Sequence, residues 1–125
     1  MTICITARGE ELNSEVDPTF GRAAYFLFID PEALTPEALI TETVRNVPGA
    51  HGAGVQAAQT VAAKKASAVI TGSVGPNAYQ GLSAAGIKIY TGAKGTIKEA
   101  LEEYRAGRLT DATGATGARH GGGRR

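Results

Sequence analysis

Between Ala53 and Gly107 the chain alternates helical segments with very short strands, and this rhythm restricts it to an open α/β sheet. The first helical segment, Ala53 to Lys65, is alanine-rich, with Val55, Ala58 and Ala62 at helical spacing. So small a face predicts close packing on a sheet. Ala66–Thr71 follows as a short strand of the buried parallel kind. Pro76 suits the first position of a helix, and Tyr79, Leu82 and Ala85 form a stripe that Gly86 ends as a C′ residue. Ile87–Tyr90 reads as the next strand. Thr96-Ile97-Lys98-Glu99 has the spacing of a capping box, in which hydroxyl and carboxylate satisfy each other's free amides. Ile97, Ala100, Leu101 and Tyr104 give that last helix its inner face, and Gly107 closes it. Alternation of this kind demands right-handed crossovers and a parallel portion of sheet.

The first half reads differently. Thr2–Ala7 and the apolar run Ala24–Ile29, stopped by Asp30-Pro31, are strands separated by a polar loop from Arg8 to Arg22. Residues 38–45 carry two signals. Thr35-Pro36-Glu37 could open a helix, whereas Thr41, Thr43 and Val44 favour a strand, which is the reading preferred here. Val47-Pro48-Gly49 stops that element. The expectation is a five-stranded mixed sheet, ordered 3-2-1-4-5, with the first three strands antiparallel and helices on both faces. A chain of 125 residues has room for one such domain, assigned to residues 1–109. Residues 110–125 are rich in Gly, Ala, Thr and Arg, cannot bury a core, and are expected to form a disordered tail.

Charge narrows the partners. All 12 acids lie before residue 112, whereas three of the 13 basic residues (Arg119, Arg124 and Arg125) lie after it. Without those three arginines the chain is mildly acidic, with 13 − 3 = 10 basic against 12 acidic residues. No basic face is evident, so nucleic acid is not an expected partner. Neither is a membrane, because no apolar stretch is long enough to span one. The opening segment lacks the charged and apolar regions of a secretion signal. The single cysteine, Cys4, cannot form an internal disulfide, and a reducing cytoplasm is the expected location.

Chemistry concentrates in three glycine-bearing loops, each leading into a helix: His51–Gly54, Thr71–Asn77 and Thr91–Thr96. Free amides at helix N-termini favour anions, and glycine lets backbone approach a ligand closely. In an open α/β sheet such loops gather at the carboxyl ends of the strands. The same residues also suit plain βα turns. No phosphate-binding G-x-x-x-x-G-K-[ST] and no G-x-G-x-x-G is present. A further candidate is Arg22, beside Gly21, whose planar donors could clamp a polyanion or simply pair at the surface. The candidate ligand-binding residues are thus Arg22, Gly52, Gly54, Thr71, Gly72, Ser73, Gly75 and Asn77, with His51 as the candidate metal ligand. His120 could supplement His51, while Cys4 reads as buried filler. One cysteine and two distant histidines build no closed zinc site. The first and fourth strands lack acidic residues, and Ser73 and Ser83 lack an evident His and Asp arrangement, so no conventional active site is expected.

Asp17-Pro18-Thr19-Phe20-Gly21-Arg22, followed by Tyr25–Asp30, resembles the D-x-x-F-G-R-A…F opening of the dinitrogenase iron–molybdenum cofactor biosynthesis domain. Gly52–Gln59, Val69–Ala78, Ser83–Tyr90 and Gly95–Leu109 continue the likeness over about residues 1–110. The resemblance implies a ribonuclease H-like fold without nuclease chemistry. It implies binding of an anionic metal–sulfur cluster, iron–molybdenum cofactor-like or a precursor, as in nitrogenase cofactor carriers, with cluster-assembly proteins as partners. One member of the family binds a molybdenum–copper sulfide cluster. The alternative is a regulatory or scaffold module that binds a small anion or a protein without metal.

Overall fold

The computed structural model describes residues 1–47 and 52–112. Its elements run β1 Ile3–Ala7, β2 Tyr25–Ile29, α1 Pro36–Leu39, β3 Ile40–Arg45, α2 Ala53–Ala63, β4 Ala68–Ile70, α3 Pro76–Ala84, β5 Lys88–Thr91, α4 Ile97–Arg105 and β6 Thr110–Asp111. They form one mixed sheet in the order β3-β2-β1-β4-β5-β6. β1, β2 and β3 meander antiparallel, while β4 and β5 run parallel to β1.

The sheet therefore has six strands where five were expected. The sixth comes from the first residues assigned to the tail: Thr110 and Asp111 pair antiparallel with Thr91 and Tyr90. Leu109 packs beside the α4 core and Ala112 beside the opposite one, which pins the short strand from both faces. Lys88 Nζ lies 3.3 Å from Asp111 Oδ2 across the edge. Two polar residues have no readable period, so this strand left no trace in the sequence pattern. Residues 113–125, with Arg119, His120, Arg124 and Arg125, lie outside the described residues.

Both signals read at residues 35–45 are used in turn. Pro36 opens a single helical turn from an extended Thr35 whose hydroxyl makes no capping bond. Leu39 is buried, and the chain then passes at Ile40 into a strand. A register shift beside Phe28 and Ile29 absorbs the change.

Side chains of the central strands alternate between two cores, as the period of two requires. Cys4, Phe26, Phe28, Val69 and Ile89 face α2 and α3, meeting Ala57, Ala58, Val61, Ala78 and Leu82. Ile3, Ile5, Leu27, Ile29 and Ile70 face α4, meeting Ile97, Ala100 and Leu101. Helices thus cover both faces, and β1 is buried at all five positions. α2 and α3 approach closely because small residues face each other: a Cβ on Gly54 would lie 3.2 Å from that of Ala78, and one on Gly81 3.0 Å from that of Ala58. Close approach brings the two helix starts side by side. Among the described residues no helix is long and apolar enough to cross a membrane.

Candidate functional site: a crevice between two helix N-termini

β3 runs parallel to β1, being antiparallel to its antiparallel neighbour, so β1, β3, β4 and β5 all point their carboxyl ends to one edge. α2 and α3 both begin at that edge. The loop 17–24 crosses it as a strap. Phe20 N donates to Ser73 O at 3.1 Å, and Ser73 Oγ donates to Pro18 O at 3.1 Å. Gly72 lies under the strap so tightly that a Cβ there would be 2.5 Å from Pro18 O. At the other end, a Cβ on Gly21 would lie 3.1 Å from Gly54 N and Cα. Phe20 plugs the strap into the core, its ring 5.5 Å from that of Phe26.

Strap and helix starts enclose a crevice of about 290 Å³, lined by Thr19–Arg22, Ala53, Gly54, Ser73 and Gly75–Ala78. Both helices have a glycine N-cap, Gly52 and Gly75, and neither has a side-chain cap. Amides of the first turns are therefore left for a ligand or solvent, and the helix dipoles add positive potential. Arg22 is the lining residue with a formal charge. Asn77 adds a carboxamide that has no hydrogen-bond partner among the described residues.

Of the sequence candidates, Arg22, Gly54, Ser73, Gly75 and Asn77 are brought together on this crevice. Gly52 sits one residue behind it, in the left-handed conformation (φ 71°) that starts α2. Thr71 and Gly72 lie off the lining. Thr71 is fully buried, with its Oγ1 2.9 Å from that of Thr6, and Gly72 serves the packing of Pro18. His51, the candidate metal ligand, is outside the described residues. The third loop does not join the crevice: Thr91–Gly95 lines a separate groove of about 390 Å³ with Glu99, Glu103 and Arg108. There the amides of α4 are already capped by Thr96 and Glu99, at 3.1 Å and 2.8 Å, so the anion argument fails for that loop.

Cys4 is wholly buried in β1, and burial pushes its thiol well above the ordinary range, so it stays protonated and away from any ligand. Among the described residues no three His, Cys, Asp or Glu side chains gather as a metal site. Two residues outside the candidate ligand set, Asp17 of the D-x-x-F-G-R motif and Asn46, hold the strap. Asp17 accepts from Thr19 N at 3.3 Å and Ala24 N at 3.2 Å, and Asn46 donates to two strap carbonyls. The Asp17 turn has a local signal, since Asp commonly bonds the amide two residues on. Asn46 bonds across more than twenty residues and has none.

Fold and crevice together define a small mixed α/β domain that presents an amide-lined, cationic pocket at the carboxyl ends of its strands. The chain belongs to the dinitrogenase iron–molybdenum cofactor family, whose model matches residues 1–107. It is 37% identical to the orange protein of Desulfovibrio gigas, whose apo form matches with a TM-score of 0.81 over 92% of this chain and 95% of that one. A Thermotoga protein of the DUF35 family, provisionally assigned as NifB, is 36% identical, with a TM-score of 0.78 over 96% and 98% of the two chains. An uncharacterized protein of Methanocaldococcus jannaschii is 30% identical over 99 residues, 78% of this chain and 82% of its own length.

Proposed function

We propose that this protein is a non-catalytic carrier for an anionic metal–sulfide cluster, an iron–molybdenum cofactor-like species or a precursor, in metallocluster assembly. One observation carries the reading: two uncapped helix N-termini and Arg22 converge on one crevice. The donor set suits such a cargo. Sulfide-rich clusters are large anions, and amides with a guanidinium hold negative charge without displacing a metal–sulfur bond. The described crevice lining holds no thiol or thioether, and Cys4 is buried and protonated. The family membership and the likeness to the orange protein point the same way. Arg22, Gly52, Gly54, Ser73, Gly75 and Asn77 make up the proposed contact set, with His51 as an additional metal ligand from the adjoining segment. Thr71 and Gly72 support the set from beneath. The ribonuclease H-like motif, the cytoplasmic location and delivery to cluster-assembly proteins belong to the same reading.

The test is anaerobic titration of the apo-protein with tetrathiomolybdate or an iron–sulfur precursor, followed by absorbance and by metal and sulfide analysis. The expected result is stoichiometric uptake at roughly micromolar Kd, weakened by Arg22→Ala and unchanged by Cys4→Ser. No uptake under these conditions sinks the proposal. Loss on Cys4→Ser with full uptake by Arg22→Ala sinks the electrostatic assignment.

A further inference from the structure

The strap that presents Arg22 is held from behind by a side chain outside the crevice lining. Asn46 is the first residue after β3 and is half-buried. Its Nδ2 donates to Gly21 O at 3.1 Å and to Ala23 O at 2.8 Å, the two carbonyls on either side of Arg22. With carbonyls as both partners, only the amide nitrogen can face them. Asn46 N also donates to Ala24 O at 3.0 Å, and Asp17 accepts from Ala24 N on the opposite side at 3.2 Å. The backbone on either side of Arg22 is thus tied down, and one tie reaches back to the strand that leads into α2.

We infer that Asn46 is a positioning residue for ligand binding: it fixes the peptide backbone around Arg22 so that the guanidinium stem is aimed at the crevice. The inference rests on the carrier reading above. A long cation on a loosely held loop must be ordered at the moment of binding, whereas one on a fixed backbone has part of that ordering already done. Asn46 therefore acts on affinity through Arg22 and through no contact of its own.

The experiment is a double-mutant cycle read by anaerobic titration with tetrathiomolybdate. Wild type, Arg22→Ala, Asn46→Ala and the double variant are compared, with Asn46→Asp as the isosteric arm that keeps shape and replaces the donor by an acceptor. Arg22→Ala is expected to weaken binding about tenfold, and either Asn46 variant about three- to tenfold. The double variant is expected to bind no more weakly than Arg22→Ala alone, which a general loss of structure does not produce. Equal losses from Asn46→Ala in both backgrounds, or wild-type affinity in Asn46→Ala and Asn46→Asp, overturn the inference while leaving the carrier reading intact. Absence of uptake by the wild type overturns both. Amide exchange adds a readout independent of ligand: Gly21–Ala23 should exchange faster in Asn46→Asp, with α3 unchanged, and unaltered exchange there counts against the inference.

Discussion

Gly21 of the strap rests on Gly54 of α2 with no room for a side chain, since a Cβ on Gly21 would sit 3.1 Å from both the Cα and the N of Gly54. Backbone on backbone is the contact that closes the crevice on its α2 side. Gly21→Ala should lift the strap from the helix and destabilise the protein by about 1–3 kcal/mol, the usual cost of overpacking. Gly75 has φ −79° and open space within 4 Å of where a Cβ would lie. Gly75→Ala is therefore expected to stay within about 0.5 kcal/mol of wild type. Urea unfolding of the two variants checks the contrast, and equal midpoints would contradict it.

Cys4 predicts an alkaline limit to stability. Its ordinary thiol value is 9.0, and burial in the folded state pushes it far higher. The folded protein keeps a proton that the unfolded chain releases, so this contribution is complete below pH 9.0 and is lost as pH rises further. One such proton corresponds to about 1.4 kcal/mol per pH unit in that window. To isolate the thiol, the measurement is a difference: unfolding free energy from pH 8 to 10.5, wild type minus Cys4→Ala. Wild type should lose stability more steeply, and parallel curves would show that the thiol ionises in the folded state.

The capping box of α4 is worth measuring because both of its bonds are formed, Glu99 N to Thr96 Oγ1 at 3.1 Å and Thr96 N to Glu99 Oε1 at 2.8 Å. Thr96→Ala should cost about 1 kcal/mol, and Thr96→Ser much less. Since α4 packs on the face away from the crevice, thermal denaturation should register the change while ligand affinity does not.

Ionic strength offers a test that needs no variant. The crevice is open to solvent, so its attraction for an anion is screened as salt rises. Tetrathiomolybdate affinity should fall several-fold between about 0.05 and 0.5 M sodium chloride. A salt-independent affinity would mean that metal–ligand bonds, not charge, hold the cargo.

Helix ends are legible in a single sequence where the signal is a backbone one. Pro76, Gly86, Gly107 and the Thr96–Glu99 pair mark α3 and α4 because each acts on its own turn. The meander and its parallel continuation follow from the same local rhythm, and the order of the five leading strands agrees with the expectation. Thr110–Asp111 was illegible because its pairing depends on Leu109 and Ala112 reaching two cores built by residues distant in the sequence. The site divides likewise. Glycine loops announce that backbone comes close to something, but not to what: at Gly54, Gly75 and Arg22 the neighbour is the crevice, at Gly72 it is Pro18. Thr91–Gly95 has the same composition as the other two loops, yet a filled cap removes its free amides. Asn46 shows the limit most plainly, since its partners lie across the sheet edge.

The described walls of the crevice contain backbone amides, two glycine N-caps' first turns, an amide side chain and a guanidinium, with no carboxylate or imidazole among them. A pocket built of backbone dipoles and a guanidinium offers, among its described residues, no carboxylate or imidazole to serve as an acid-driven off switch. On the carrier reading, cargo held there would leave by exchange, when a competing anion or a recipient's own ligands take over the negative charge. Unloading would then be decided by the acceptor's affinity, and a carrier of this kind would act as a passive buffer between donor and recipient.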